Sequence, residues 1–216
     1  MNTDLQVLSE ALISGDHKRA LATTQELRRQ GVEIEDIIRH GIQPAMEALD
    51  NKCTVEQFNL LEIMLAGRAV SAVARELFSD SSTPPNAKAT IVVAALEGDI
   101  HDIGKHIVKM VLIGNRYRVV DCGKDVPVAT VAERVRAENA DALCISGLIT
   151  NVMPRVRLVR QALEEAGLGH VPILAGGAAL KQSTAAALNV DYVGQTAFDA
   201  VKYLEPLFGE KPREQS

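Results

Sequence analysis

Three features of this sequence predict an α/β protein with a helical bundle in front of a parallel five-stranded sheet. Residues 3 to 78 carry apolar residues at helical spacing and no strand signal. A polar, proline-containing stretch follows. From residue 89 onward, short uncharged runs alternate with amphipathic ones, the pattern of strands joined by crossover helices.

The helical part reads in order. Leu5, Leu8, Leu12 and Ile13 line the first helix, which Gly15-Asp16 breaks, and Asp16 can cap the next. The second helix buries Ala20, Leu21, Thr24 and Leu27 and stops at Gly31. The third contains Ile34, Ile37, Ile38, Ile42, Met46 and Leu49; Gly41 and Pro44 predict a kink, because the apolar spacing continues past them. Thr54-Val55-Glu56-Gln57 fits a capping box that starts a fourth helix running to Phe78. Four helices with short loops predict an antiparallel bundle.

Residues 79 to 88, with Pro84-Pro85 among Ser, Asp and Thr, read as a linker. The chain divides into a helical domain over 1–80, a linker over 81–88 and an α/β domain over 89–216. In the last, strands are expected near 89 to 96, 117 to 122, 142 to 147, 171 to 175 and 191 to 194. Helices are expected near 104 to 114, 128 to 138, 153 to 166, 180 to 188 and 197 to 207. This alternation predicts a flavodoxin/Rossmann-like sheet with helices on both faces.

Composition narrows the function classes. The net charge of −5 argues against nucleic acid or an anionic membrane surface as the main partner. No apolar run is long enough to cross a bilayer, and no signal peptide is visible, so the expected compartment is cytoplasmic. Cys53, Cys122 and Cys144 are too widely spaced for a zinc site and odd in number for a disulfide framework. Cys144 reads as a small core residue.

The chemistry concentrates after the first strand. Ala89–Leu96 is free of charge and reads as a strand buried on both faces, and Ile103, Ile107, Met110 and Val111 then mark a helix. Gly98-Asp99-Ile100-His101-Asp102-Ile103-Gly104-Lys105 therefore lies on a strand-to-helix loop at the carboxyl end of the sheet, where open α/β folds bind ligands. Asp99-x-His101-x-x-Gly104 resembles the Asp-x-His-x-x-Gly signature of cobalamin-binding domains, as in methionine synthase and the corrinoid proteins of methyltransferase systems. Ser146-Gly147-Leu148-Ile149-Thr150 is similar to that family's Ser-x-Leu-x-Thr, and Gly176-Gly177-Ala178 to its Gly-Gly element. Three pieces in one order form a specific signal. The helical domain is also similar to the family's cap, although Phe58–Met64 lacks the proline often found there.

The resemblance implies that His101 is the lower axial ligand of cobalt, displacing the cofactor's own benzimidazole. Cobalamin would then bind base-off and His-on. Asp99, two residues away, would accept the other ring N–H and fix the tautomer. The displaced nucleotide tail would enter a slot lined by Ser146, Leu148, Thr150, Gly176, Gly177 and Ala178, while Gly104 lets the loop backbone pass close to the cofactor. A serine matching Ser146 would extend the hydrogen bonds toward solvent. Leu61, Met64, Leu65 and Met46 are candidates to cover the upper face, with plain bundle core as the alternative. His106 reads as a helix-face residue, Lys105 as an aid to helix initiation, and Tyr192 with Gln195-Thr196-Ala197 as either tail contacts or packing.

The function that the resemblance implies is a corrinoid methyl carrier without a catalytic centre of its own. Its partners would be a substrate-specific methyltransferase, a second methyltransferase that accepts the methyl group, and a reductive activator. The donor could be a methylamine, methanol or an aromatic methyl ether. A cobalamin-dependent sensor is the rival of another class, disfavoured because such proteins normally carry a DNA-binding element and light-sensing ones a cap Trp, which is absent here. A mutase subunit is disfavoured because those cobalamin domains usually lack the bundle.

Overall fold

The helical spacing at the start of the chain resolves into five α-helices in the computed structural model, which describes residues 3–54, 59–78 and 86–209. The described residues form two compact units. One comprises the chain up to Asn86 together with Lys109–Tyr117, and the other comprises Ala87–Val108 with the residues from Arg118 onward.

In the first unit, α1 (Thr3–Ile13) buries Leu5, Leu8 and Leu12, and α2 (His17–Arg29) buries Ala20, Thr24 and Leu27. Asp16 caps α2 by accepting the Arg19 backbone N–H at 3.0 Å. Thr24 is tolerated inside because its hydroxyl donates to the Ala20 carbonyl at 2.8 Å. The predicted kink takes the form of a π-helical turn, Ile38–Ile42, between α3 (Ile34–Ile37) and α4 (Gln43–Thr54). Pro44 has no N–H to give and its ring would crowd the carbonyl four residues back, so the wider turn relieves both problems.

The expected start of the next helix changes. Thr54 ends α4, and α5 runs Leu60–Phe78. Its cap is Asn59, whose Oδ1 accepts the Leu61 N–H at 3.0 Å while its amide donates to Glu62 Oε1 at 3.2 Å. Residues 55–58 of the predicted capping box lie outside the described residues. Ile63, Ala66, Ala69, Val70, Val73 and Leu77 form the buried stripe of α5. The end of α6 (Ile103–Gly114) is grouped with this unit. A Cβ at Gly67 would stand 3.1 Å from Met110 Sδ, and one at Gly114 2.9 Å from Met46 Cγ. Met46 is buried core.

The second unit is a five-stranded parallel sheet in the order β2-β1-β3-β4-β5, with β1 Thr90–Ala94, β2 Arg118–Asp121, β3 Ala142–Ser146, β4 Ile173–Gly176 and β5 Tyr192–Val193. The expected strands are all present. β4 starts later than 171 because Pro172 cannot donate to the ladder; its carbonyl instead accepts the Leu143 N–H at 2.9 Å.

Val92, Ala94, Val120, Leu143, Ile145, Ile173 and Ala175 form one core with Val131 and Val135 of α7 (Val128–Ala137) and Val156, Val159 and Leu163 of α8 (Met153–Glu165). Alternate strand residues Ile91, Val93, Val119, Cys144 and Leu174 point to the other face and are buried too. Burial on both faces explains the uninterrupted apolar strands. The region expected as a helix over 180 to 188 splits into a 3-10 turn, Leu180–Gln182, and α9, Ala185–Leu188, which Thr184 caps. α10 (Asp199–Phe208) completes the unit. No described helix is long and apolar enough to cross a membrane.

Candidate functional site

β1 ends at Ala94, and the chain passes through Ala95–Asp102 before α6 begins. Asp99 on this loop is fully buried, and its carboxylate is satisfied by three donors. Oδ1 accepts the His101 backbone N–H at 3.0 Å and faces His101 Nδ1 at 2.8 Å. Oδ2 accepts the Leu148 backbone N–H at 2.6 Å. Burial pushes the carboxyl pKa up, but the N–H groups of Leu148 and His101 and the imidazole outweigh it, so the net direction is down.

An ionised carboxylate can only accept, so in the neutral imidazole the proton sits on Nδ1 and Nε2 keeps its lone pair. The His101 side chain is 48% exposed. One imidazole nitrogen is thus fixed from inside, and the other is available to a metal.

Gly104, in the first turn of α6, presses on the end of β3: a Cβ there would stand 2.8 Å from Ser146 Oγ. Ser146 and Gly176 are register partners. Beyond them the two loops are tied by Gly147 N–H to Gly176 O at 2.9 Å and Ala179 N–H to Gly147 O at 3.3 Å. Gly177 has φ 100°, and a Cβ on it would come within 2.5 Å of the Gly147 carbonyl oxygen. At Gly176 a Cβ would meet only the Gly194 carbonyl, at 3.6 Å, so that position is open.

Asp99, His101 and Leu148 are therefore joined by hydrogen bonds, Gly104 and Ser146 by close approach, and Ser146 and Gly176 by strand register, while Gly177 presses on Gly147. Thr150 and Ala178 are exposed on the same two loops, and among the described residues no hydrogen bond joins them to the Asp99 network.

Other readings sort out by contact. The link from Asp99 to the Ser146 segment runs through the Leu148 backbone N–H. Lys105 is buried and paired with Asp121 at the end of β2, more than a helix-starting charge. His106 is exposed, with Nδ1 4.0 Å from Asp102. Tyr192 stacks on Tyr203 at 4.9 Å, and the Gln195 and Thr196 N–H groups cap α10 on Asp199, so packing accounts for these contacts. In the helical unit Leu61, Met64 and Leu65 are exposed on α5. Burial raises the Cys122 thiol to about 11 and the Cys144 thiol to about 12.

These residues fit a corrin. Among the described residues no group of three or more His, Cys, Asp and Glu could hold a metal ion. A lone imidazole suits a metal that arrives with most of its ligands, as cobalt does in a corrin ring. Gly176, Gly177 and Ala178 leave the end of β4 bare of bulky side chains, and a Cβ at Gly176 would meet only the Gly194 carbonyl, which suits a thin appendage lying against that edge.

Comparison with known proteins agrees. Residues 89–202 and residues 5–77 each match a B12 binding domain. The chain is 33% identical over 210 residues to dimethylamine corrinoid protein 1 of Methanosarcina mazei, covering 95% of this chain and 97% of that one. It is 29% identical over 196 residues to the trimethylamine corrinoid protein of Methanosarcina barkeri, covering 89% and 90%. Among solved structures it is similar to the methanol:cobalamin methyltransferase complex MtaBC of Methanosarcina barkeri, with TM-score 0.80 and 27% identity over 97% of this chain and 81% of that one. A cobalamin-binding protein from Desulfitobacterium hafniense shares the fold, with TM-score 0.75 and 23% identity over 94% and 97%. The paired B12 binding domains and the near full-length match to a corrinoid protein lead to one conclusion: the chain belongs to the B12-binding corrinoid proteins of methyltransferase systems, and cobalamin is its cofactor.

Proposed function

We propose that this chain is a methyl carrier that binds cobalamin base-off, with His101 as the lower axial ligand. The observation that carries the proposal is the Asp99–His101 pair, in which Nδ1 is engaged at 2.8 Å and Nε2 is left as the donor atom. Bound cobalamin supplies a metal centre that takes up and gives up a methyl group. Asp99 orients the imidazole by holding Nδ1. Ser146, Leu148, Thr150, Gly176, Gly177 and Ala178 receive the nucleotide tail, and Gly104 keeps the helix start out of its way. Residues 1–80 act as the cap, 81–88 as the linker and 89–216 as the cofactor-binding domain.

The carrier serves a substrate-specific methyltransferase and a second, accepting methyltransferase, and a reductive activator restores it after oxidation. The names of the relatives favour a methylamine or methanol as donor over an aromatic methyl ether. A cytoplasmic setting fits Cys122 and Cys144, both free thiols.

The test is electron paramagnetic resonance of the Co(II) form reconstituted with cobalamin. Coupling to one nitrogen is expected, and it should persist when the benzimidazole is made with nitrogen-15 but vanish in His101→Ala. Coupling that follows the benzimidazole label would overturn the proposal.

A further inference from the structure

The loop that carries His101 is gripped from outside by the loop between β2 and α7. Ala95 N–H donates to Gly123 O and Val126 N–H to Ala95 O, both at 3.1 Å, and Glu97 N–H donates to Val126 O at 2.8 Å. The grip then tightens on one residue. Asp125 Oδ1 accepts the Gly98 N–H at 2.8 Å, and the Asp125 N–H donates to the Asp99 carbonyl at 3.1 Å. One aspartate thus closes a ring of hydrogen bonds around the Gly98-Asp99 unit. Lys124, beside it, reaches Asp102 at 3.6 Å.

Both partners hold backbone shapes that need a reason. Gly98 has φ 92° and Asp125 has φ 56°. Aspartate is among the few non-glycine residues that enter the left-handed region readily, and here the bend aims its carboxylate and its own N–H at the same stretch of chain. Asp125 is exposed. Its two hydrogen bonds fall one and zero residues from Asp99, the carboxylate that orients His101.

From this geometry we infer that Asp125 is a positioning residue for the cobalt ligand: it fixes the Gly98-Asp99 backbone and so the angle at which His101 is presented. The inference rests on His101 being the ligand. An imidazole must be placed to within a fraction of an ångström to bond a metal, and a short loop with a glycine at its bend does not hold that placement alone.

Asp125→Gly removes the carboxylate while relaxing the left-handed backbone, and Asp125→Asn keeps an acceptor oxygen and tolerance of that backbone. In the cobalamin-free protein, amide exchange at His101 and Leu148 should rise by about tenfold in the Gly variant, with core amides such as Val92 and Leu143 unchanged. In the Co(II)-loaded protein the nitrogen coupling should weaken or split into two populations. The Asn variant should restore both readouts.

Unchanged loop exchange in the Gly variant, an equal rise in the core, or an Asn variant no better than Gly would overturn the inference. Faster loop exchange with unaltered nitrogen coupling would also overturn it, since Asp125 would then brace the loop without governing the ligand. If wild-type coupling does not depend on His101, the ligand assignment itself fails, while exchange in the cobalamin-free protein still shows whether Asp125 holds the loop.

Discussion

Asp99 Oδ2 lies 2.6 Å from the Leu148 backbone nitrogen, so the carboxylate that orients His101 also pins the loop leaving β3. The proposed ligand and one wall of the proposed tail slot thereby share a single buried anion. Asp99→Asn should expose this double duty. Its one oxygen can serve the His101 groups, but its amide then confronts the Leu148 N–H, donor against donor. A loss of about 1–3 kcal/mol is expected in urea unfolding of the cobalamin-free protein, and a change under about 0.5 kcal/mol would argue that the Leu148 contact is not made.

The same carboxylate carries a pH signature. Its folded pKa is held below the unfolded value of about 3.9. Its stabilising contribution is therefore complete above that pH and is lost as pH falls through the folded pKa. Melting temperatures of the cobalamin-free protein measured downward from pH 6 should drop more steeply in wild type than in Asp99→Asn below about pH 4.

Two adjacent glycines should respond oppositely to a methyl group. Gly177→Ala meets both a φ of 100° and the Gly147 carbonyl at 2.5 Å, and the backbone strain alone costs about 1–3 kcal/mol. Gly167→Ala, with φ 73° and no atom within 4 Å, is the control that carries the strain without the clash. Gly176→Ala finds only ordinary contact at 3.6 Å, so the cobalamin-free protein should melt as wild type does. Its affinity for cobalamin, read by equilibrium dialysis, should nevertheless fall, because the added methyl would enter the proposed slot. Wild-type affinity would remove Gly176 from the slot.

The thiols give a chemical readout of the core. With pKa values pushed to about 11 and about 12, Cys122 and Cys144 are almost wholly protonated at pH 8. Peptide mapping after iodoacetamide treatment should find both unmodified in the folded protein and alkylated in denaturant. Rapid labelling of Cys144 under native conditions would mean that the sheet opens far more readily than its packing implies.

Much of the fold was legible because strands buried on both faces write themselves as uncharged runs, as Thr90–Ala94 and Ala142–Ser146 do. The His101 pair was legible because its two members lie two residues apart and their chemistry is in their side chains. The Leu148 donor was not, since a backbone N–H is the same in every residue type. Asp125 was hidden for a related reason: its partner is a glycine amide in another loop. The Asn59–Glu62 cap has a readable pattern, but Thr54–Gln57 offered a similar one a few residues earlier. Lys105 misled because a lysine in the first turn of a helix is usually solvated, and nothing local announces a carboxylate at the end of β2.

That pairing of the buried Lys105 with Asp121 has a bearing on how the sequence can change over time. Asp121 also accepts the Gly123 N–H at 2.9 Å, in the loop that holds the His101 segment. Losing the Asp121 carboxylate leaves the buried Lys105 ammonium without this counter-charge, at a cost of about 3–5 kcal/mol, whereas Asp121 is partly exposed and keeps the Gly123 N–H when the lysine is lost. The order of change should therefore be one-sided: descendants of this chain that abandon the aspartate will be found to have abandoned the lysine first, and lineages that keep Lys105 without Asp121 should be scarce.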